Sequence, residues 1–85
     1  MPYLVYPPNP TRSMVAFTYT DPIRGEETGR IVVRDLAGRI VATLMMNGPQ
    51  GQQIWDTRGI APGTNLVRYL RGGELVHAER LIIQQ

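Results

Sequence analysis

The 85-residue chain has no cysteine. That excludes disulfides, thiol nucleophiles and thiolate metal sites together. Lysine is missing too, so all nine basic residues are arginines. Serine and histidine occur once each, as Ser13 and His77. Ser13 sits beside a proline-rich entry and lacks the strand–turn–helix setting of a nucleophile elbow. A single imidazole without thiols makes a poor zinc site. No apolar run approaches the ~20 residues of a membrane helix. The opening Met1-Pro2-Tyr3-Leu4 has no basic region followed by a long apolar stretch, so no signal peptide is visible. An exported chain would need that signal upstream, in a longer precursor. No glycine-rich phosphate loop is present, because the glycines fall at turns.

What remains is one small domain, 42% hydrophobic and 19% charged. Val, Ile and Leu are plentiful enough to build a core, which argues against disorder. The net charge is only +2, short of the dense basic stripe of a nucleic-acid-binding domain, so no nucleic-acid partner is expected. The arginine-only basic set has two readings. One is the codon bias of a GC-rich genome. The other is a surface that engages anionic groups through bidentate guanidinium contacts.

Turn chemistry cuts the chain into strand-sized pieces. Residues 1–12 form a proline-rich entry segment, and residues 5–85 a single sandwich domain. Leu4-Val5-Tyr6 can pair as a short edge strand. In Met14–Tyr19, Val15, Phe17 and Tyr19 alternate with Ala16 and Thr18, the pattern of a strand with one buried face. Asp21-Pro22 ends it, and a polar loop with Arg24, Glu26 and Glu27 follows. Arg30–Arg34 puts Ile31 and Val33 on one face and the arginines on the other. Asp35-Leu36-Ala37-Gly38 then makes a tight hairpin turn, in which Asp35 accepts from downstream amides and Gly38 supplies a positive φ. The chain returns from Arg39 to Met46, with Arg30, Arg34 and Arg39 expected on one outer face.

Asn47–Gly51 reads as loop and Gln52–Asp56 as a short strand. Asp56–Gly63 reads as a corner with Ile60 plugging the core and Pro62-Gly63 reversing the path. Asn65–Leu70 is a strand, and Gly72-Gly73 a primed hairpin turn. Glu74–Ile83 closes the domain. Its apolar residues do not share one face, so a bulge is expected near Ala78. No segment carries sustained helical periodicity with caps. The expectation is an all-β, immunoglobulin-like antiparallel β-sandwich of about seven strands.

Candidate chemistry is sparse. Asp35 and Asp56 suit turns, and Glu26-Glu27 suits a solvated loop. The Asp21–Glu27 loop is a weak calcium candidate, with three carboxylates and no EF-hand spacing. Trp55 reads as core or edge packing rather than a sugar platform. No cofactor is expected.

Read in order, the marks resemble the C-terminal sorting domain of the type IX (Por) secretion system of Bacteroidota. The Tyr-Pro-Asn-Pro-like entry stands here as Tyr6-Pro7-Pro8-Asn9-Pro10. The Asp-Leu-x-Gly-basic-x-Val run is matched by Asp35–Val41, and the Leu-Ala-Pro-Gly corner by Ile60-Ala61-Pro62-Gly63. The glycine turn and final basic-aliphatic strand appear as Gly72-Gly73 and Arg80-Leu81-Ile82-Ile83. Asn65 stands where the family carries an aromatic residue; if it points inward, its amide must find partners.

The resemblance implies a non-enzymatic export signal that follows an N-terminal passenger. It implies recognition by the type IX machinery through the folded surface and terminal strand. Removal by a sortase-like peptidase would follow. The route would run through the periplasm to the cell surface or outside. Exposed edge strands would permit an edge-strand dimer. The rival readings are the structural immunoglobulin-like domain of flagellar hook-capping proteins and a carbohydrate-binding or adhesive sandwich.

Overall fold

The structure is a computed structural model that describes residues 3–5, 11–20, 29–46 and 48–84, the first of these segments as backbone only. Pro8, Asn9 and Pro10 and the Asp21–Glu27 loop lie outside the described residues.

Seven strands are described: β1 (Tyr3–Val5), β2 (Met14–Thr20), β3 (Gly29–Asp35), β4 (Ile40–Met46), β5 (Gln50–Asp56), β6 (Gly63–Arg71) and β7 (Glu74–Ile83). They form two sheets, ordered β1-β2-β5 and β4-β3-β6-β7. Every strand pair in both sheets is antiparallel. This is the expected immunoglobulin-like sandwich, with one choice settled by the structure. In the seven-strand constant-type domain the fourth strand joins the sheet of the first two. Here β4 stays with β3, to which the Asp35 hairpin ties it.

Period-two alternation places the core. Val15, Phe17 and Tyr19 of β2 face Ile31 and Val33 of β3 and Val67 and Tyr69 of β6, and all seven are 0–1% exposed. Met46 of β4 and Leu81 and Ile83 of β7 complete the cluster, with Trp55, Ile60 and Val76 packed against its rim. Ile60 thus plugs the corner as its place in the sequence suggests. Trp55 packs on the core instead of forming an exposed platform.

Three expectations need correction. β5 begins at Gln50, not Gln52, because the pairing with β2 continues through Tyr19↔Gly51 and Thr20↔Gln50. The bulge in β7 falls at Val76, between His77 (opposite Tyr69) and Leu75 (opposite Leu70); Ala78 keeps regular register opposite Arg68. The extra residue lets Leu75 face outward while Val76 packs on the core. A second bulge, in β4 at Val41, lies between Ala42 and Ile40. Finally, Arg39 leaves the outer face of the hairpin and folds back on its turn.

Thr57 follows β5 at the start of the corner. Its amide donates to the Ser13 carbonyl at 2.8 Å, while its buried hydroxyl has no hydrogen-bond partner among the described residues. A buried, unpaired hydroxyl costs about 1–3 kcal/mol of desolvation. Thr57→Val keeps the backbone bond and replaces the hydroxyl by a methyl. It is expected to stabilise the domain by about 1 kcal/mol, read as a higher urea midpoint at unchanged m-value. A lower midpoint would contradict the assignment.

Candidate recognition surface

The Asp35 turn is built by one carboxylate. Asp35 Oδ1 accepts from the amides of Ala37 (3.0 Å) and Arg39 (2.9 Å). Its Oδ2 accepts from Arg39 Nε at 2.8 Å. Gly38 closes the loop at φ 88°, a conformation that a β-carbon disfavours. Leu36 is left at the tip, 72% exposed. Across the sheet, Asp35 pairs with Asn65, and Asn65 with Leu81. Gly63 pairs with Ile83. The Asp35 turn, the Pro62-Gly63 corner and the end of β7 therefore gather at one pole of the sandwich. A shallow groove of about 310 Å³ runs between the turn and the corner.

The segment that leads into β2 passes that same pole. Thr11 pairs in parallel with Ile83: its amide donates to the Ile82 carbonyl at 2.9 Å, and Gln84 donates back to the Thr11 carbonyl at 2.7 Å. The Thr11 hydroxyl donates to the Met14 carbonyl, and the residue is 1% exposed. The lead-in to β2 and the end of β7 are thus stapled together just after Pro10. Gly72 and Gly73, at φ 57° and 85°, lie at the opposite pole, where two positive φ values close the primed turn between β6 and β7.

The terminal motif divides by alternation. Leu81 and Ile83 are core, whereas Arg80 and Ile82 face outward, Ile82 at 44% exposure. β7 is an edge of its sheet, but the bridge to Thr11 already uses its last residues. The open edge therefore lies before Leu81. Asn65 points inward, 3% exposed, and its Nδ2 donates to the Gly63 carbonyl at 3.3 Å. The buried amide finds its partner within its own corner.

Other candidates take minor roles. His77 Nε2 lies 3.4 Å from Glu79 Oε1, both partly exposed, and the Ser13 carbonyl accepts from the Thr57 amide. No group of three or more metal-ligating side chains occurs among the described residues. Among them, no helix is long and apolar enough to cross a membrane. Sequence reasoning missed the burial of Thr11. Its one signal was a threonine placed just after the last entry proline.

A family profile described as the secretion system C-terminal sorting domain matches residues 4–84. The chain belongs to this family. No curated protein matches it. Family members act as C-terminal sorting signals of type IX secretion and are not known as catalysts. A sorting signal acts with the secretion machinery and an N-terminal passenger, and it directs export to the cell surface or beyond. That supports sorting over the hook-capping and sugar-binding readings.

Two carboxylates in this sorting domain respond to acid, Asp35 half-buried and Asp56 exposed. Hydrogen bonds from Arg39 hold the Asp35 carboxyl below its ordinary value, chiefly the bond from the Arg39 amide. The Arg58 guanidinium, at 2.7 Å, lowers Asp56 to about 2. Folding favours the ionised form of both. Their stabilisation is present above the unfolded value of about 3.9; that of Asp56 is lost as pH falls toward about 2, and that of Asp35 as pH falls through its own lowered value. Urea midpoints measured from pH 5 to pH 2 should fall in the wild type and fall less in Asp56→Asn. Equal slopes would remove Asp56 from the account.

Proposed function

We propose that the machinery reads this sorting signal as a folded pole rather than as a linear peptide, with the open edge of β7 as a second contact. The observation that carries the reading is the convergence of family marks. Asp35, Gly38, Pro62, Gly63 and the Arg80–Ile83 segment meet at one end although they are far apart in sequence. Leu36 projects from that end as an exposed apolar contact.

The β7 edge offers backbone pairing. Ile82 directs its carbonyl away from β6, toward Thr11. By the two-residue repeat, Ala78 directs its amide to the same open side. A partner strand added there would gain main-chain hydrogen bonds. The sortase-like peptidase of our reading acts ahead of β1, where a cut frees the passenger and spares both the β1–β2 pairing and the Thr11–Ile83 bridge. Transit runs through the periplasm. The open edge also permits a dimer, which such addition would compete with.

The test is a reporter fused ahead of this domain in a bacterium carrying the machinery. Leu36→Asp alters the pole at a solvent-exposed tip. Ala78→Pro removes an outward amide and no ladder bond, the placement that edge strands tolerate. Both variants should keep the wild-type circular dichroism spectrum and lower export several-fold. Full export of both variants would overturn the reading.

A further inference from the structure

The outer face of the four-stranded sheet carries a pattern that neither the pole nor the β7 edge uses. Arg30 and Arg34 flank Val32 on β3, and Arg68 stands directly opposite Val32 on β6. The arginines border a depression of about 210 Å³, with Thr43 on one side and Leu70 on the other. Its floor, Val32, is only 5% exposed although it points away from the core. Arg34 gives one N–H to the Gly38 carbonyl at 2.8 Å. Arg30 and Arg68 have no hydrogen-bond or ion-pair partner among the described residues.

Among the described residues, no carboxylate occupies an outward strand position on this face. The remaining outward positions include Ile40, Met45, Leu75 and Ile82, exposed by 55, 50, 51 and 44%. The glutamates of β7, Glu74 and Glu79, sit opposite Arg71 and Val67, in the inward rows. Like charges with no carboxylate among the described strand residues of their face, beside exposed apolar side chains, mark a surface that a partner of opposite charge complements.

Spacing identifies the partner. Along the strand axis Arg30, Arg68 and Arg34 lie two residues apart in turn, about 6.7 Å per step. Side chains on one face of an extended peptide recur at the same interval. A membrane surface attracts guanidinium groups without any such register. We propose that this face docks an extended acidic segment of a partner protein, whose carboxylates at alternate positions meet Arg30, Arg68 and Arg34 in order. Each guanidinium offers the planar fork that a carboxylate accepts bidentately. The exposed aliphatic side chains cover the segment's flanks. The inference deepens the sorting reading and rests on it only for the partner's place in export.

The test uses the full chain and a labelled peptide of roughly ten residues alternating Glu and Thr, followed by fluorescence anisotropy. A peptide of the same composition with its glutamates in one block serves as the comparison. Vesicles of phosphatidylglycerol and phosphatidylcholine form a third arm. The alternating peptide should bind saturably, more tightly than the block peptide, and weaken with salt. Arg68→Gln and Arg30→Gln should each lower affinity about tenfold at an unchanged circular dichroism spectrum. Arg58→Gln, away from this face, should leave it intact. Equal binding of the two peptides, indifference to Arg68→Gln, or binding to vesicles alone would overturn the inference. Export of the wild-type reporter fusion separates the two claims. An exported domain that ignores the peptide refutes the docking face, and a domain that is not exported refutes the sorting reading.

Discussion

Register between β3 and β6 is the constraint on which the rest of the structure depends. Ile31 opposite Tyr69 and Val33 opposite Val67 turn four fully buried side chains into the sandwich. The same register sends Arg30, Arg34 and Arg68 outward. A slip of one residue would reverse both sets at once, burying guanidinium groups and exposing the centre of the core. The cost of that alternative fixes the pairing, and the pairing fixes everything carried at its ends. Asp35 meets Asn65, so the hairpin turn stands beside the corner. Leu81 meets Asn65 in turn, so the end of the chain arrives at the same pole.

What could be read from residues alone follows the range of the forces involved. The Asp35–Gly38 turn and the Gly72-Gly73 turn are local, set by a carboxylate and by positive φ, and the sequence displays both. Alternation in β2 and β3 is also local and predicts the inner rows correctly. The features that resisted reading are non-local. The bulge expected near Ala78 sits at Val76, where the register with β6, another strand, shifts between Tyr69 and Leu70. Arg68 joins Arg30 and Arg34 only through cross-strand pairing. Arg39, close to them in sequence, is captured by Asp35. Thr11 is buried because Ile82 and Gln84 bond to it, more than seventy positions downstream.

The corner illustrates how a departure from the family pattern is absorbed. An aromatic residue at position 65 would fill space by its ring. Asn65 brings a smaller, polar group to a site that is 3% exposed. Its amide bonds to the Gly63 carbonyl two residues back, a short-range bond that an asparagine makes readily near a turn. The requirement to satisfy a buried donor is met inside the corner, so the neighbouring Val67 and Leu81 remain fully buried in the apolar cluster.

The closing strand shows why fold and signal are hard to separate by truncation. Leu81 and Ile83 belong to the core, and Ile83 also anchors the entry segment through Thr11. Arg80 and Ile82, their immediate neighbours, belong to the outer surface. Removing the last residues therefore removes two fully buried aliphatic side chains, each of which stabilises a small domain by about 2–5 kcal/mol, together with the staple at the chain ends. Loss of export after such a deletion reports unfolding as readily as loss of a contact. Period-two geometry supplies the remedy: substitutions confined to outward positions change what a partner meets and leave the inner row, and so the register that fixes the pole, as it was.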